Sequence, residues 1–185
     1  MRLRRSKIQI PMKIAVIGAG AQGRAFAVAC ARAGFSVVLE DVMPEKLRRA
    51  GEELAGLAAS VELVSTVEDA VRDADIAFDF VPDELESKLE IWSMMDRMAP
   101  PRTVLCTPSE ALSVTDLASC TYRGDRCVMV RGLGGSEARV LKAVWTSEAT
   151  VALAQELIKG IGFEVVVEAD PDLPMLLKNM RAAGL

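Results

Sequence analysis

The 185-residue chain contains no histidine. That absence excludes a Ser-His-Asp or Cys-His catalytic unit, a His-ligated metal and any imidazole acid or base. Cysteine is sparse, and Cys30, Cys106, Cys120 and Cys127 show no C-x-x-C spacing. Buried reduced thiols are therefore expected, not a zinc site or a disulfide framework. No apolar run reaches the roughly eighteen residues of a membrane span. Ile8 to Val16 is broken by Gln9, Pro11 and Lys13, which does not suit the apolar core of a signal peptide. A cytoplasmic location without a membrane partner is the expectation. Positive charge is also short: Lys and Arg total 22 against 26 Asp and Glu, a net charge of −4. Four of the basic residues (Arg2, Arg4, Arg5, Lys7) sit in the first eleven positions, so the remainder is more acidic still. A body of this sign argues against nucleic acid as a partner, because phosphate binding needs a positive footprint.

What is present is a chain half apolar (51%) and a quarter charged (26%), the profile of a globular protein with a sizeable core. Short β-branched runs alternate with helical patterns. Lys13–Gly18, Ser36–Asp41, Val61–Val64, Asp75–Val81, Thr103–Thr107, Cys127–Arg131, Val140–Thr146 and Phe163–Glu168 read as strands. Helices are expected at Ala21–Ala33, Pro44–Leu57, from Thr66 as a cap, Glu84–Met98, Leu112–Ala118 and Ser147–Lys159. This alternation predicts an α/β fold with a doubly wound, mostly parallel sheet and helices on both faces, in a single domain. Residues 1–11 read as a flexible basic arm and 12–170 as the domain. Residues 171–185 read as a C-terminal helix with Leu173, Leu176, Leu177 and Met180 on one face. A helix this short is marginal alone, so it packs on the domain or on a partner chain.

The segment Gly18-Ala19-Gly20-Ala21-Gln22-Gly23 is a G-x-G-x-x-G turn between an expected strand and an expected helix, with Asp41 at the end of the next strand. Gly18 permits the tight turn, Gly20 lets backbone approach a pyrophosphate, and Gly23 lets helix and strand pack closely. Phosphates would sit on the amides and positive dipole of the helix N-terminus. Asp41 suits a ribose diol and repels a 2′-phosphate. Glu40 adds to that repulsion, and no arginine follows at Val42 or Met43. The domain is thus expected to be a Rossmann-type unit that takes NAD as its cofactor. A second glycine cluster, Gly132-Leu133-Gly134-Gly135, follows the Cys127–Arg131 strand. It is either a plain loop or one wall of the ligand crevice.

The stretches KIAVIGAGAQGRAFA, VVLEDVMPEKL, DADIAFDFVPDELESK and TVLCTPSEALSVTDLA resemble the N-terminal NAD-binding domain of the 3-hydroxyacyl-CoA dehydrogenase family, from Lys13 to about Asp172. The resemblance implies that Asp41 is the adenosine-ribose aspartate and that Asp83 stands where a glutamate lies near the nicotinamide ribose. It implies an NAD contact by Lys88, with Val81 and Pro82 lining the cofactor and Thr107 and Pro108 ending the fifth strand. It also marks departures. The family's histidine falls at Arg131, its glutamate at Ala143, its H-F-F-N-P asparagine at Gly134 and its substrate-binding serine at Glu110. The resemblance stops short of the family's second, helical domain, which is expected to be absent, and Pro174 with Asn179 bears only a faint similarity to its start.

An arginine stays protonated and cannot accept a hydroxyl proton, but it can hold a carboxylate or phosphate. The expected activity is therefore an NAD-dependent oxidoreductase acting on the CH–OH group of a small-molecule substrate, acyl-CoA or another anion. Ser109, Glu110 and Arg131 are the catalytic candidates. Lys142, Tyr122, Cys106 or a second chain are further sources of an acid or base. A redox-neutral lyase or isomerase, a non-catalytic NAD-binding sensor or subunit, and a piece of a larger enzyme are the alternatives. Pairing as a homodimer, or with a partner subunit, is expected through the C-terminal helix. No metal is expected.

Overall fold

The computed structural model describes residues 12–55 and 61–171. The expected basic arm and the expected helix at 173–185 lie outside the described residues. Strands β1 (Lys13–Ile17), β2 (Ser36–Glu40), β3 (Val61–Val64), β4 (Ile76–Asp79), β5 (Val104–Pro108), β6 (Cys127–Arg131), β7 (Glu137–Lys142) and β8 (Glu164–Ala169) form one sheet. Its order is β3-β2-β1-β4-β5-β6-β7-β8. The helices are α1 (Ala21–Arg32), α2 (Pro44–Leu54), α3 (Val67–Val71), α4 (Leu85–Met98), α5 (Val114–Ser119) and α6 (Glu148–Gly160). Every pair from β3 through β6 is parallel, the arrangement of a Rossmann-like NAD-binding fold.

Both faces of the sheet are covered, which is why the central strands read as unbroken apolar runs. Ile14, Val16 and Leu39 point to Phe26, Cys30, Leu157 and Ile158 on one face. Ala15, Ile17, Val38 and Leu105 point to Val67, Trp92, Met95 and Leu117 on the other. The alternation assigns each strand-end side chain to a face, and with it to a role in the cleft described below.

Two elements are displaced from the sequence pattern, each for a local reason. α5 begins at Val114, not Leu112, because Ser113 caps it, its Oγ accepting from the Asp116 amide at 3.2 Å. β7 runs from Glu137 to Lys142 and not from Val140 to Thr146, since the chain turns where the Thr146 amide bonds the Ala143 carbonyl at 3.1 Å. β7 is antiparallel to β6, because residues 132–136 are too few to make the crossover that parallel strands require. At the opposite end of the strands from the glycine turn, buried Arg123 clamps the end of α4. Its guanidinium bonds Asp96 Oδ1 at 2.7 Å and the Pro100 carbonyl at 2.7 Å.

Candidate functional site

A cleft of about 1090 Å³ opens over the carboxyl ends of β1, β2, β4, β5 and β6, where doubly wound sheets bind their ligands. The glycine turn forms one wall. Gly18 has φ +99°, with its carbonyl so placed that a Cβ on Gly23 would lie 1.9 Å from it. Neither position tolerates a side chain without moving backbone. Gly20 is different: a Cβ there meets nothing within 4 Å, so the room beside it is open to a ligand. Gly20 is the N-cap of α1 and supplies no side-chain cap, and the first turn holds no acid. The first-turn amides of Ala21, Gln22 and Gly23 have no partner within the helix and carry the positive end of its dipole. This cradle fits a dinucleotide pyrophosphate.

Asp41 is 4% exposed at the next corner. Its Oδ2 accepts from the Ala19 amide at 2.9 Å and lies 3.2 Å from Lys46 Nζ, while Oδ1 accepts from the Met43 amide at 2.9 Å. Lys46, in α2, puts a cation at this corner beyond Val42 and Met43, where no arginine stands. Only helical spacing from Asp41 could have pointed to it. Glu40 also lines the cleft, 3% exposed, and its Oε1 has no hydrogen-bond partner. Burial and the neighbouring Asp41 charge push its carboxyl up to about 7, against the Gly18 amide and Lys46, which lower it.

Gln22, Val81, Pro82 and Asp83, all expected cofactor contacts, line the cleft. Ala19 and Gly23 are buried behind it. Phe80, which sequence reading passed over, forms the floor with Phe26, their ring centroids 5.1 Å apart. Two implied cofactor contacts are corrected. Lys88 is 1% exposed, its ammonium 2.7 Å from Asp79 Oδ1, whose Oδ2 accepts from the Trp92 indole at 2.8 Å. Strand alternation turns Asp79 and Thr107 inward under α4, and Lys88 is drawn down to meet that buried carboxylate. Burial raises the Asp79 pKa above its usual range, against Lys88, Thr107 and Trp92, which pull it down. Thr107 is fully buried beside it, and Pro108, the next residue, reaches the cleft instead.

The catalytic candidates come together, but chiefly to shape one loop. Arg131 donates through Nε to the Ser109 carbonyl at 3.1 Å and through its terminal nitrogen to the Leu112 carbonyl at 2.7 Å. The Ser109 hydroxyl accepts from the Leu112 amide at 3.0 Å. Glu110 Oε1 accepts from the Gly132 amide at 2.8 Å, and Asp83 Oδ2 from the Glu110 amide at 3.2 Å. Arg131 as a clamp on an anionic substrate is therefore corrected: its guanidinium points to backbone carbonyls of the loop after β5. Ser109 and Glu110 line the cleft as well, and the second glycine cluster contributes Leu133 and Gly134 to its wall.

The other acid–base candidates fall away on position. Lys142 pairs with Val128 near the start of β6, far from the strand ends, and binds Glu148 at 3.1 Å. Tyr122 is fully exposed ahead of β6, and Cys106 is buried with its thiol pKa raised well above the ordinary value by burial. Cys30 and Cys127 are likewise pushed up to about 12 by burial. Among the described residues no group of three or more acidic or cysteine side chains could hold a metal ion, and no helix is long and apolar enough to cross a membrane.

A family model described as 3-hydroxyacyl-CoA dehydrogenase, NAD binding domain, matches residues 13–59 and 51–171. The chain is 27% identical over 189 residues to the "Probable 3-hydroxybutyryl-CoA dehydrogenase" of Bacillus subtilis, covering 90% of this chain and 65% of that protein. It is 26% identical over 185 residues to the 5-formyl-3-hydroxy-2-methylpyridine 4-carboxylate 5-dehydrogenase of Mesorhizobium japonicum, covering 90% of this chain and 60% of that one. Among solved structures, the 3-hydroxyacyl-CoA dehydrogenase of Archaeoglobus fulgidus superposes with a TM-score of 0.78 at 30% identity, covering 93% of this chain and 60% of that one. The chain spans less than two thirds of the length of these relatives.

Proposed function

The chain belongs to the 3-hydroxyacyl-CoA dehydrogenase NAD-binding domain family, and from that premise we propose that it binds NAD in the cleft as the cofactor-holding part of an oxidoreductase acting on a hydroxy or oxo substrate. The observation that carries this is the open space beside Gly20 over the uncapped start of α1, with the buried Asp41 carboxylate at the adjoining corner. The Ala21 and Gln22 amides hold the pyrophosphate. Asp41 Oδ1 keeps a lone pair for one ribose hydroxyl, and the other takes the place of Lys46 on Oδ2. A 2′-phosphate would meet the Asp41 carboxylate, a repulsion that Lys46 tempers but does not cancel.

When bound, NAD supplies hydride transfer, so the protein's work is to position and to move a proton. At the far end of the cleft, Glu110 holds its loop with one oxygen and has the other for a substrate hydroxyl. With Asp83, Glu90 and Glu110 on this lining and Arg131 committed to carbonyls, the site complements a neutral or cationic substrate better than an acyl-CoA. One observation favours a second reading, an NAD-binding subunit without chemistry of its own. The position of the family's histidine is Arg131, which here staples the loop.

Titration with NADH and NADPH, read by energy transfer from Trp92 and Trp145, tests the reading. NADH is expected to bind at least about tenfold more tightly than NADPH, a 1.4 kcal/mol difference. Asp41→Ala narrows that gap, and Gly20→Val folds normally but no longer takes NADH. A Gly20→Val variant with unchanged affinity, or no NADH binding by the parent protein, overturns it. NADH binding with no hydride transfer from any hydroxy substrate selects the second reading.

A further inference from the structure

Glu40 is a buried acid of the cleft whose bonding capacity the reading above leaves unused. It ends β2 with its side chain on the face shared by Val38, Val67 and Ile91. Its backbone is satisfied, the carbonyl accepting from the Gly18 amide at 2.8 Å. Its carboxyl is satisfied only in part. Among the described residues, Glu40 Oε1 is the buried side-chain oxygen that no protein group partners, on a residue 97% withdrawn from solvent yet lining the cleft. Such a group is costly to keep without a partner and is lost from a fold unless something else supplies one. The walls beside it, Ile17, Val67, Val81 and Ile91, are apolar, the lining that a flat base would occupy with few polar alternatives.

We propose that Glu40 is a second adenosine-binding residue of the cleft, its unpartnered oxygen bonding the dinucleotide's adenosine, and that binding there is coupled to a proton. The inference rests on the NAD reading and deepens it. The charged groups facing Glu40 are Asp41 beside it and Lys46 from α2, with Glu90 of α4 on the same cleft. Two adjacent carboxylates thus share one ammonium before any ligand arrives. A dinucleotide brings an anionic pyrophosphate, removes the remaining water and draws Lys46 off Asp41. Each change disfavours the Glu40 carboxylate and favours the acid. As the acid, Glu40 has both an O–H donor and a carbonyl acceptor, which matches the adjoining amine donor and ring-nitrogen acceptor on an adenine edge. The free carboxyl already titrates near neutrality, at about 7. Binding therefore raises proton affinity further, and the complex weakens as pH climbs past that point.

The experiment is NADH titration of the full chain from pH 6 to 8.5, with calorimetry in two buffers of different ionisation enthalpy. Kd is expected to be flat near pH 6 and to rise above about 7, approaching tenfold per pH unit, the limit for one coupled proton. The paired buffers are expected to report proton uptake on binding at pH 8. Glu40→Gln, which keeps the shape and a donor–acceptor pair, is expected to bind NADH with a pH-independent Kd near the parent's value at pH 6. Glu40→Leu is expected to weaken binding at every pH, with its thermal unfolding reporting that it is folded. A pH-independent Kd for the parent chain overturns the proposal and leaves NAD binding standing. So does a pH dependence that survives Glu40→Gln but vanishes in Asp41→Asn. Failure to bind NADH at any pH overturns the NAD reading itself, and this inference with it.

Discussion

Glu40 carries a consequence for the protein without any ligand. Its carboxyl titrates at about 7 in the folded chain, against an ordinary value of 4.5, chiefly because burial penalises the charge. A carboxyl with a raised folded pKa contributes stability that is complete below the unfolded value and is lost as pH rises through the folded one. From pH 5 to 8 the loss amounts to about 2.5 kcal/mol. Glu40→Gln removes the titration, so its stability relative to the parent should grow by that amount across the same range in urea denaturation. Parallel stability curves would show that Glu40 ionises in the folded protein as easily as in the unfolded one. The residue was legible in sequence as an acid beside Asp41. That it lies buried with one oxygen unpartnered follows from strand alternation and from the helices packed on that face.

At the scale of elements, the loop after β5 and the hairpin joining β6 to β7 act as one unit. Arg131 spans them through two carbonyls, and Glu110 returns the contact through the Gly132 amide. A charged donor on buried or half-buried carbonyls is worth about 2 kcal/mol. Arg131→Ala is therefore expected to lose about that much stability, to speed hydrogen exchange at the Ala111 and Leu112 amides, and to weaken NADH binding a few-fold by loosening the cleft wall. Loss of a charged ligand's binding with stability and exchange untouched would return Arg131 to the role of a substrate clamp. Residue type pointed to the wrong role here. An arginine at a strand end reads as an anion site, whereas its acceptors are main-chain carbonyls, which no side-chain pattern records. The same holds for Lys88, whose partner Asp79 lies nine positions away on a different element and meets it only inside the packed layer.

For the molecule as a whole, the cleft is made by strand ends that are distant in sequence and adjacent in the sheet. A ligand spanning it ties the glycine turn after β1, the corner after β2 and the loops after β4 and β5 together in the folded state alone. NADH at about a hundredfold its Kd should then stabilise the protein by about 2.7 kcal/mol. For a chain of this length that raises Tm by roughly 5–10 °C. Scanning calorimetry with NADH and with NADPH at equal concentration checks this, and the NADPH shift should be the smaller. Equal shifts would mean that Asp41 does not select between the two.

The sequence by itself determined the layered α/β architecture, the glycine turn and the acid that follows β2. These depend on properties a short segment carries alone: apolar runs long enough for buried strands, glycines where backbones approach, and an acid at a strand end. It also showed that these 185 residues carry no imidazole. Tertiary structure decided which polar side chains remain available to a ligand. Lys88, Thr107 and Arg131 were drawn into bonds with groups from other elements, Lys46 was brought to Asp41, and Glu40 was left buried with an oxygen unspent. The reason is physical. A buried polar atom must find its partner among whatever the packed layers bring near it, and that neighbourhood exists only once the sheet has closed under its helices.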